Sequence, residues 1–377
     1  MDTTGTLSAV LDEPGLRGLL AELGEEARAY RFLAAPNPCV GAAVFAGGRE
    51  VARGFHRAFG GSHAEVEALA AAEESGVPRE TWDLLLVTLE PCSTTGRTPP
   101  CTDAVLASGI RRIVIGSLDR DPRHRGKGIE LLTEAGLEVD VLHRGAPLET
   151  VAPQFLRWID PDRLRRPRPW TIAKWAQTLT GQLTPPKDVG EGRWISGPDS
   201  LAEVQRLRAA VDAIVTGVGT VLADDPRLTL RGDEESNGDS HPPLRVVLDS
   251  ELRTPPDARL FATVGRTEEG SGGEVHVLCR AGAAPTRHRV LESAGVNIHS
   301  LRPDSEGHVS LRAVQEWLWG EGVRRVLLEA GPVLLGAALA AGFVDQLAVY
   351  TGSIPGGQGL SLADWLAPER LEQPLHR

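Results

Sequence analysis

The chain has 377 residues but only four cysteines, one methionine and two tyrosines, and aromatic residues make up 5% of it. So few cysteines exclude a small secreted scaffold stapled by disulfides. Positive charge is also short, with 40 Lys and Arg against 51 Asp and Glu, a net charge of −11. That balance argues against a protein that grips nucleic acid or an anionic membrane over a broad surface. No apolar run approaches the roughly 20 residues that a membrane span needs. The start, Met1-Asp2-Thr3-Thr4-Gly5, lacks the basic and then apolar layout of a signal peptide. The expectation is a reduced, cytoplasmic chain, long enough for two domains that each have a core.

What is present centres on residues 61–101. Gly61-Ser62-His63-Ala64-Glu65 is followed by Leu89-Glu90-Pro91-Cys92 and then by Pro99-Pro100-Cys101. One imidazole and two thiolates make three zinc ligands and leave the fourth tetrahedral position for a water, whose pKa the metal lowers toward neutrality. Glu65 is two residues from the histidine and not a ligand itself. It can carry protons between water, ring nitrogen and leaving ammonia. H-x-E followed by P-C-x-x-C marks zinc deaminases; here the second part is stretched to Cys92-x8-Cys101. Plainer readings exist for each residue. Ser62 and Glu65 fit S-x-x-E, a helix capping box. Cys92 and Cys101 fit buried small hydrophobes. A structural zinc would need a fourth protein ligand, for which Cys39 is the candidate.

The pattern of elements is α/β throughout. Residues 6–35 read as helical, ended by Pro36-Asn37-Pro38. Val40–Val44 and Val51–Gly54 read as a hairpin, 63–75 as a helix and Leu84–Leu89 as a buried strand. A helix at Thr102–Ala107 follows, then strands at Ile113–Ile115 and Val139–Leu142 around a helix at Ile129–Glu134. This alternation predicts a three-layer domain with a largely parallel sheet. Residues 159–169, with three prolines and four arginines, read as a solvated linker. Beyond it, strands are predicted at Trp170–Lys174, Ala213–Thr216, Leu244–Leu248, Val275–Leu278, Arg325–Leu328 and Leu347–Tyr350, with a helix at Ser200–Ala210. Gly232–Pro243 and Gly265–Gly273 read as polar loops. Thr216-Gly217-Val218-Gly219-Thr220 and Leu328-Glu329-Ala330-Gly331-Pro332 both sit at strand ends, where helix N-termini suit phosphate. An ordinary turn is an equal alternative for each.

Longer stretches carry a resemblance. Pro36-Asn37-Pro38-x-Val40-Gly41, Gly54-x-His56, His63-Ala64-Glu65-Val66 and Leu89-Glu90-Pro91-Cys92-Ser93-x-x-Gly96-Arg97-Thr98-Pro99-Pro100-Cys101 resemble the deaminase domain of the bifunctional riboflavin-biosynthesis deaminase/reductase family, whose cysteine spacing this is. The second half is similar to that family's reductase domain at Lys174-x-Ala176-x-Thr178-Leu179-x-Gly181, Trp194-Ile195-Ser196, Leu207-Arg208-Ala209, Gly219-Thr220-Val221-x-Ala223-Asp224-Asp225-Pro226-x-Leu228-Thr229, Val247-x-Asp249-Ser250 and Glu329-Ala330-Gly331.

The resemblance implies a cytidine-deaminase-like α/β/α domain at 1–150, a linker at 151–169 and a dihydrofolate-reductase-like α/β domain at 170–377. It implies hydrolytic deamination of 2,5-diamino-6-ribosylamino-4(3H)-pyrimidinone 5′-phosphate, then reduction of the ribosyl chain by NADPH. His63, Cys92 and Cys101 would hold Zn²⁺, with Glu65 catalytic. Asn37, His56 and Arg97 would contact the first substrate. Gln177, Trp194, Thr220, Asp224, Ser250 and the run Gly331, Pro332, Val333, Leu334, Leu335, Gly336 and Ala337 would bind NADPH. Gly192, Arg208, Leu228, Arg231 and Glu329 would bind the second substrate, the two arginines suiting its phosphate. The partners implied are phosphorylated pyrimidines and further copies of the chain, with no nucleic acid and no membrane.

The chain departs from the family pattern in four places. Thr94-Thr95 stand where histidine or aromatic residues are common. Asp121–Gly128 reads as a shortened form of D-P-N-P-x-V-A-G-x-G. Thr180 replaces the aspartate of S-L-D-G, and Arg377 comes soon after Leu366, so the family's last strands are not expected.

Overall fold

The structure, a computed structural model, describes residues 12–95, 99–142, 153–187, 195–231, 242–267 and 270–361. It divides into two compact units, Met1–Arg166 and Pro167–Arg377.

The first unit has strands β1 (Gly41–Ala46), β2 (Arg49–Phe55), β3 (Trp82–Val87), β4 (Arg112–Ile115) and β5 (Glu138–Val141), in the order β2-β1-β3-β4-β5. β1 is antiparallel to both neighbours, whereas β3, β4 and β5 pair in parallel. Four strands therefore run one way and one runs back. Successive residues of a strand face opposite sides, and both faces here are apolar. Ala42, Val44, Leu85, Val87, Ile113 and Ile115 point into one core; Ala43, Phe45, Leu84, Leu86 and Val114 point into the other. Helix α1 (Glu13–Ala27) covers the second face through Leu16, Leu20 and Leu23. Helices α2 (Ala64–Glu74), α3 (Cys101–Ser108) and α4 (Lys127–Glu134) belong to the first face, so the unit has three layers.

α2 lies unusually low on the sheet. Ala64, Ala68 and Ala72, at helical spacing, have no exposed surface. Beneath them a Cβ on Gly54 of β2 would come within 2.1 Å of the Ala68 nitrogen, so only glycine permits this approach. Two readings of this half need correction. The first helix does not run unbroken to residue 35: α1 ends at Ala27, and Arg28–Tyr30 is a 3₁₀ turn before Arg31–Ala34. The expected linker is partly structured. α5 (Pro153–Trp158) and α6 (Pro161–Arg165) form within it, and Phe155 and Ile159 are buried in the first core. Apolar side chains between the prolines outweigh the solvated character of the arginines there.

In the second unit β6 (Trp170–Gln177), β7 (Gln182–Thr184), β8 (Ala213–Gly217), β9 (Leu244–Leu248), β10 (Gly265–Thr267), β11 (Gly270–Gly272), β12 (Val275–Arg280), β13 (Asn297–Leu301), β14 (Arg325–Glu329), β15 (Gln346–Thr351) and β16 (Gln358–Ser361) follow in chain order. Seven of them make a parallel sheet, β13-β12-β9-β8-β14-β6-β15; β10 pairs β11 and β16 pairs β7. Burial on both faces explains their near-continuous apolar runs. The loop expected at Gly265–Gly273 is thus largely the β10–β11 hairpin, and most of Gly232–Pro243 lies outside the described residues. Helices α7 (Pro198–Ala209), α8 (Val218–Asp224), α9 (Pro285–Ser293), α10 (Leu311–Gly320) and α11 (Pro332–Ala340) connect the strands. The chain goes outward from β8 to β13, then returns to place β14 between β8 and β6. Open parallel sheets bind ligands at such a reversal, outside the carboxyl ends of the strands.

Candidate active sites

In the first unit the low seat of α2 sets its N-terminus beside the loop that leaves β3. His63 is the N-cap of α2, and Cys101 is the first residue of α3, so two helix N-termini meet there. Their partial positive charge favours thiolates. The ligand atoms of His63, Cys92 and Cys101 all lie within 4.8 Å of one another. His63 Nδ1 is 3.2 Å from Cys101 Sγ and 3.5 Å from Cys92 Sγ. Zn–S and Zn–N bonds at tetrahedral angles would put nitrogen and sulfur about 3.6 Å apart, close to both of these separations. The Cys101 amide donates to Cys92 Sγ at 3.3 Å. Hydrogen bonds from Cys101 and His63 hold the Cys92 thiol well below its ordinary range.

Glu65 is 3% exposed and hydrogen-bonded with Cys101, and burial pushes its carboxyl above the ordinary range. The capping-box reading fails by one residue. The N-cap is His63 rather than Ser62, which leaves Glu65 at the second helical position with its side chain turned inward. Cys39 does not join the cluster: it is buried in the core beneath α1, where its sulfur accepts from Gln154 Nε2 at 3.3 Å.

His56 packs edge-on to His63, with ring centroids 5.1 Å apart. Its Nδ1 donates to the Ser62 carbonyl at 2.9 Å, and burial pushes its pKa down, so the ring is neutral. Nε2 is then an acceptor and takes the Asn37 amide at 3.1 Å. Arg97 lies outside the described residues.

Glu90 is a residue whose work the motif did not disclose. Its carboxylate accepts from the backbone amides of Asp119, Gly126 and Gly128 at 3.0–3.1 Å and so binds the cysteine loop to the next one. This contact also corrects the reading of that loop as shortened. Counted from Asp119, where the contact starts, the stretch to Gly128 has the full length of the family's pattern. Asp119 is its first carboxylate, pushed up to about 6, mainly by burial. Thr94 Oγ1 is 3.4 Å from His124 Nδ1 of this loop.

The second site is assembled across strands. Glu329 ends β14 and is in register with Lys174 of β6. The Glu329 carboxylate takes a bidentate contact from Arg208 of α7, Nε to Oε1 at 2.7 Å and Nη2 to Oε2 at 3.1 Å. Arg208 Nη1 donates to the Thr229 carbonyl at 3.0 Å. Burial alone would raise the Glu329 pKa, but the charge and hydrogen bonds of Arg208 bring it below the ordinary range. Lys174, not singled out from the sequence, is pulled down by burial and stands 5.7 Å from the Tyr350 ring centroid. Its signal was the K-x-A-x-T-L-x-G run.

Around this pair, Thr220 Oγ1 accepts from the Gly331 amide at 3.1 Å, joining the starts of α8 and α11. Thr216 Oγ1 donates to the Glu329 carbonyl at 2.6 Å. Gln177 accepts from Trp175 Nε1 at 3.0 Å, and Ser250 Oγ accepts from the Val309 amide at 2.9 Å. Gln177, Glu329 and Ser250 thus mark the carboxyl ends of β6, β14 and β9. Asp224 is exposed at the end of α8, Arg231 is exposed and Leu228 is buried. Within the run read as cofactor-binding, Leu335 and Gly336 face the core, so α11 offers a cofactor its first turn rather than the whole segment. Gly192 and Trp194 lie outside the described residues.

A three-donor metal centre with a buried proton-carrying carboxyl is the equipment of a hydrolytic deaminase. The second unit is an open parallel sheet with a ligand edge at a strand reversal. Residues 19–117 match the cytidine and deoxycytidylate deaminase zinc-binding region, and residues 169–368 match the RibD C-terminal domain. The riboflavin biosynthesis protein RibD of Aquifex aeolicus is 36% identical over 329 residues, covering 87% of this chain and 84% of that protein. That of Escherichia coli is 36% identical over 333 residues, covering 85% and 83%. Among solved structures, Acinetobacter baumannii RibD aligns with a TM-score of 0.62 at 28% identity over 91% of this chain and 88% of that one. A Thermotoga maritima diaminohydroxyphosphoribosylaminopyrimidine deaminase/5-amino-6-(5-phosphoribosylamino)uracil reductase aligns with a TM-score of 0.62 at 28% identity, covering 93% and 92%. The chain belongs to the RibD family: it is a bifunctional deaminase and reductase of riboflavin biosynthesis, and its cofactors are Zn²⁺ and NADPH.

Proposed function

We propose that the first unit hydrolyses the 2-amino group of 2,5-diamino-6-ribosylamino-4(3H)-pyrimidinone 5′-phosphate and that the second reduces the ribosyl chain of the product with hydride from NADPH. The observation that carries this reading is the convergence of His63, Cys92 and Cys101 within 4.8 Å with Glu65 buried against them. His63, Cys92 and Cys101 would hold zinc, which when bound would supply a water acidic enough to act as a nucleophile near neutral pH. Glu65, buried against these ligands, would carry a proton between the nucleophile and the leaving nitrogen, and its burial raises its proton affinity. Asn37, oriented by neutral His56, and Arg97 recognise the pyrimidine phosphate.

In the second unit the first turn of α11, with Thr220, Gln177, Trp194, Asp224 and Ser250, binds NADPH. Glu329, held ionised by Arg208, takes part in binding the ribosyl substrate, and Lys174, Leu228, Arg231 and Gly192 are assigned to the same substrate. Because Arg208 spends its guanidinium on Glu329 and Thr229, Arg231 is the better phosphate partner. Thr180 has a structural part. In the tight turn closed by the Gly181 amide on the Thr178 carbonyl, with Gly181 at φ +88°, its hydroxyl accepts from the Gly356 amide at 2.9 Å.

A boundary between the catalytic units near residue 166, rather than a linker throughout 151–169, suits the packing of α5 on the first core. We place the protein in the cytoplasm, in keeping with four cysteines of which none is in a disulfide. No helix among the described residues is long and apolar enough to cross a membrane. We expect a homo-oligomer, as the resemblance implies. The test is to supply the diaminopyrimidinone phosphate with and without NADPH and identify the products. The deaminated ribosyl compound should form without NADPH and the ribityl compound with it. Deamination with no reduction in either case would leave an active deaminase fused to a decayed reductase.

A further inference from the structure

Arg245, the second residue of β9, has no exposed surface. Among the described residues no carboxylate stands within ion-pairing distance of it, and burial pulls its pKa down to about 10. Every hydrogen bond it makes goes to an uncharged oxygen. Nε and Nη2 donate to the Gly273 carbonyl at 3.0 and 2.7 Å. Nη1 donates to the Arg227 carbonyl and to Thr263 Oγ1, both at 2.7 Å. The chain is wrapped closely around it, since a Cβ on Gly272 would meet the guanidinium carbon at 2.6 Å. A buried charge without a counter-charge is a costly way to fill a core, so the segments that it joins carry the meaning.

One of those segments is residues 225–231, between α8 and β9. It contains two residues other than glycine in the left-handed region, Asp225 at φ 42° and Leu228 at φ 53°. Such backbone persists only where its surroundings enforce it. Anchors along its length do so, among them the Arg231 amide, which donates to Gln205 Oε1 at 3.0 Å. Asp225 Oδ1 accepts from the Arg259 amide at 2.9 Å, at the start of the one-turn helix Arg259–Ala262. The Arg227 carbonyl accepts from Arg245, which also grips Thr263 just past the end of that helix. The Thr229 carbonyl accepts from Arg208, whose other nitrogens hold Glu329. The Thr229 anchor is thus part of the Arg208–Glu329 ion pair, while Arg245 holds the middle of the segment.

We propose that Arg245 is a positioning residue for the reduction. By fixing the Arg227 carbonyl it sets the left-handed path on which Leu228 and Arg231, the two residues of this segment assigned to the phosphorylated substrate, lie. Arg245 touches neither substrate nor cofactor. The inference rests on the assignment of Leu228, Arg231 and Glu329 to the second substrate.

The test uses the full-length zinc-loaded protein. Arg245→Lys keeps the charge, but a single nitrogen cannot reach the Gly273 and Arg227 carbonyls together. The KM for the deaminated intermediate should rise about tenfold while kcat changes by less than about twofold, the pattern of lost substrate binding. NADPH affinity, read by fluorescence titration, should be unchanged. Asp225→Ala removes the neighbouring anchor and should raise the same KM. The double variant should be no worse than the poorer single one, because both act through one segment. An unchanged KM in a folded Arg245→Lys protein overturns the inference, as does a parallel loss of NADPH affinity, which marks a general structural role. If Arg245→Lys does not fold, Asp225→Ala decides alone, and an unchanged KM there overturns the inference. A wild-type protein that oxidises no NADPH with the intermediate overturns the substrate assignment and this inference with it.

Discussion

The two sites in this chain are built by opposite methods. The first takes its metal ligands and its proton carrier from residues 63–101 and brings them together with two helix N-termini and one loop. The second joins Lys174, Arg208 and Glu329 from three elements far apart in the chain and depends on strand order to make them neighbours. A local site fails when a ligand is lost. A distributed site fails when a neighbour moves, because its charges are compensated only by one another.

Substitutions should separate these modes, beginning with the severest. Cys92→Ala or Cys101→Ala should remove the bound zinc, about one per chain in the wild type given one three-ligand centre, and abolish ammonia release. Reduction of supplied intermediate by the same protein should continue. Metal analysis beside the two assays checks this, and full zinc in both variants would sink the site. Glu65→Gln should retain zinc and slow deamination by about 10²–10⁴-fold, since an amide cannot carry the proton; a near-normal rate would make Glu65 a bystander.

Glu329→Gln leaves Arg208 buried without its partner charge and should destabilise the second unit by about 3 kcal/mol, measurable by denaturant unfolding. The sign with pH follows from the same pair. The folded-state pKa of Glu329 is depressed. Its contribution is therefore complete above the ordinary carboxylate range and is lost as the pH falls through the lower folded value. Wild type should lose stability in acid more steeply than Glu329→Gln; equal slopes would show that the pair contributes nothing to folding. The smallest effect is expected for Thr180→Asp, less than about tenfold on NADPH oxidation with the intermediate, below what loss of an acid–base group implies. An inactive wild type rescued by that substitution would reveal a missing catalytic carboxylate.

The first site was legible in the sequence because its chemistry demands particular residue types at short spacing. Even there, Glu65 satisfied a capping box on paper, and only the true start of α2 excluded it. The pairing of Arg208 with Glu329 was not legible. An arginine near a phosphate-binding motif reads as a phosphate ligand, and nothing local announces a carboxylate 121 residues away. β13, Asn-Ile-His-Ser-Leu, escaped notice because an edge strand is only half covered and does not need the continuous apolar run of its neighbours. α5 was hidden in a stretch read as linker, whose apolar residues matter only once the first core offers them a place. The loop beginning at Asp119 was counted from the wrong aspartate, since two occur close together and only one lies against Glu90.

The seat of α2 bears on how this enzyme could be altered. The position of His63 and Glu65 is gauged by three methyl groups and a hydrogen, those of Ala64, Ala68, Ala72 and Gly54, none of which takes part in the reaction. They act as shims. A side chain at Gly54 would meet the backbone of α2, the helix whose N-cap is His63. A library built to change what the deaminase accepts should therefore vary the loops around the site and hold these four small residues constant, because there the tolerance of the centre is thinner than a methyl group.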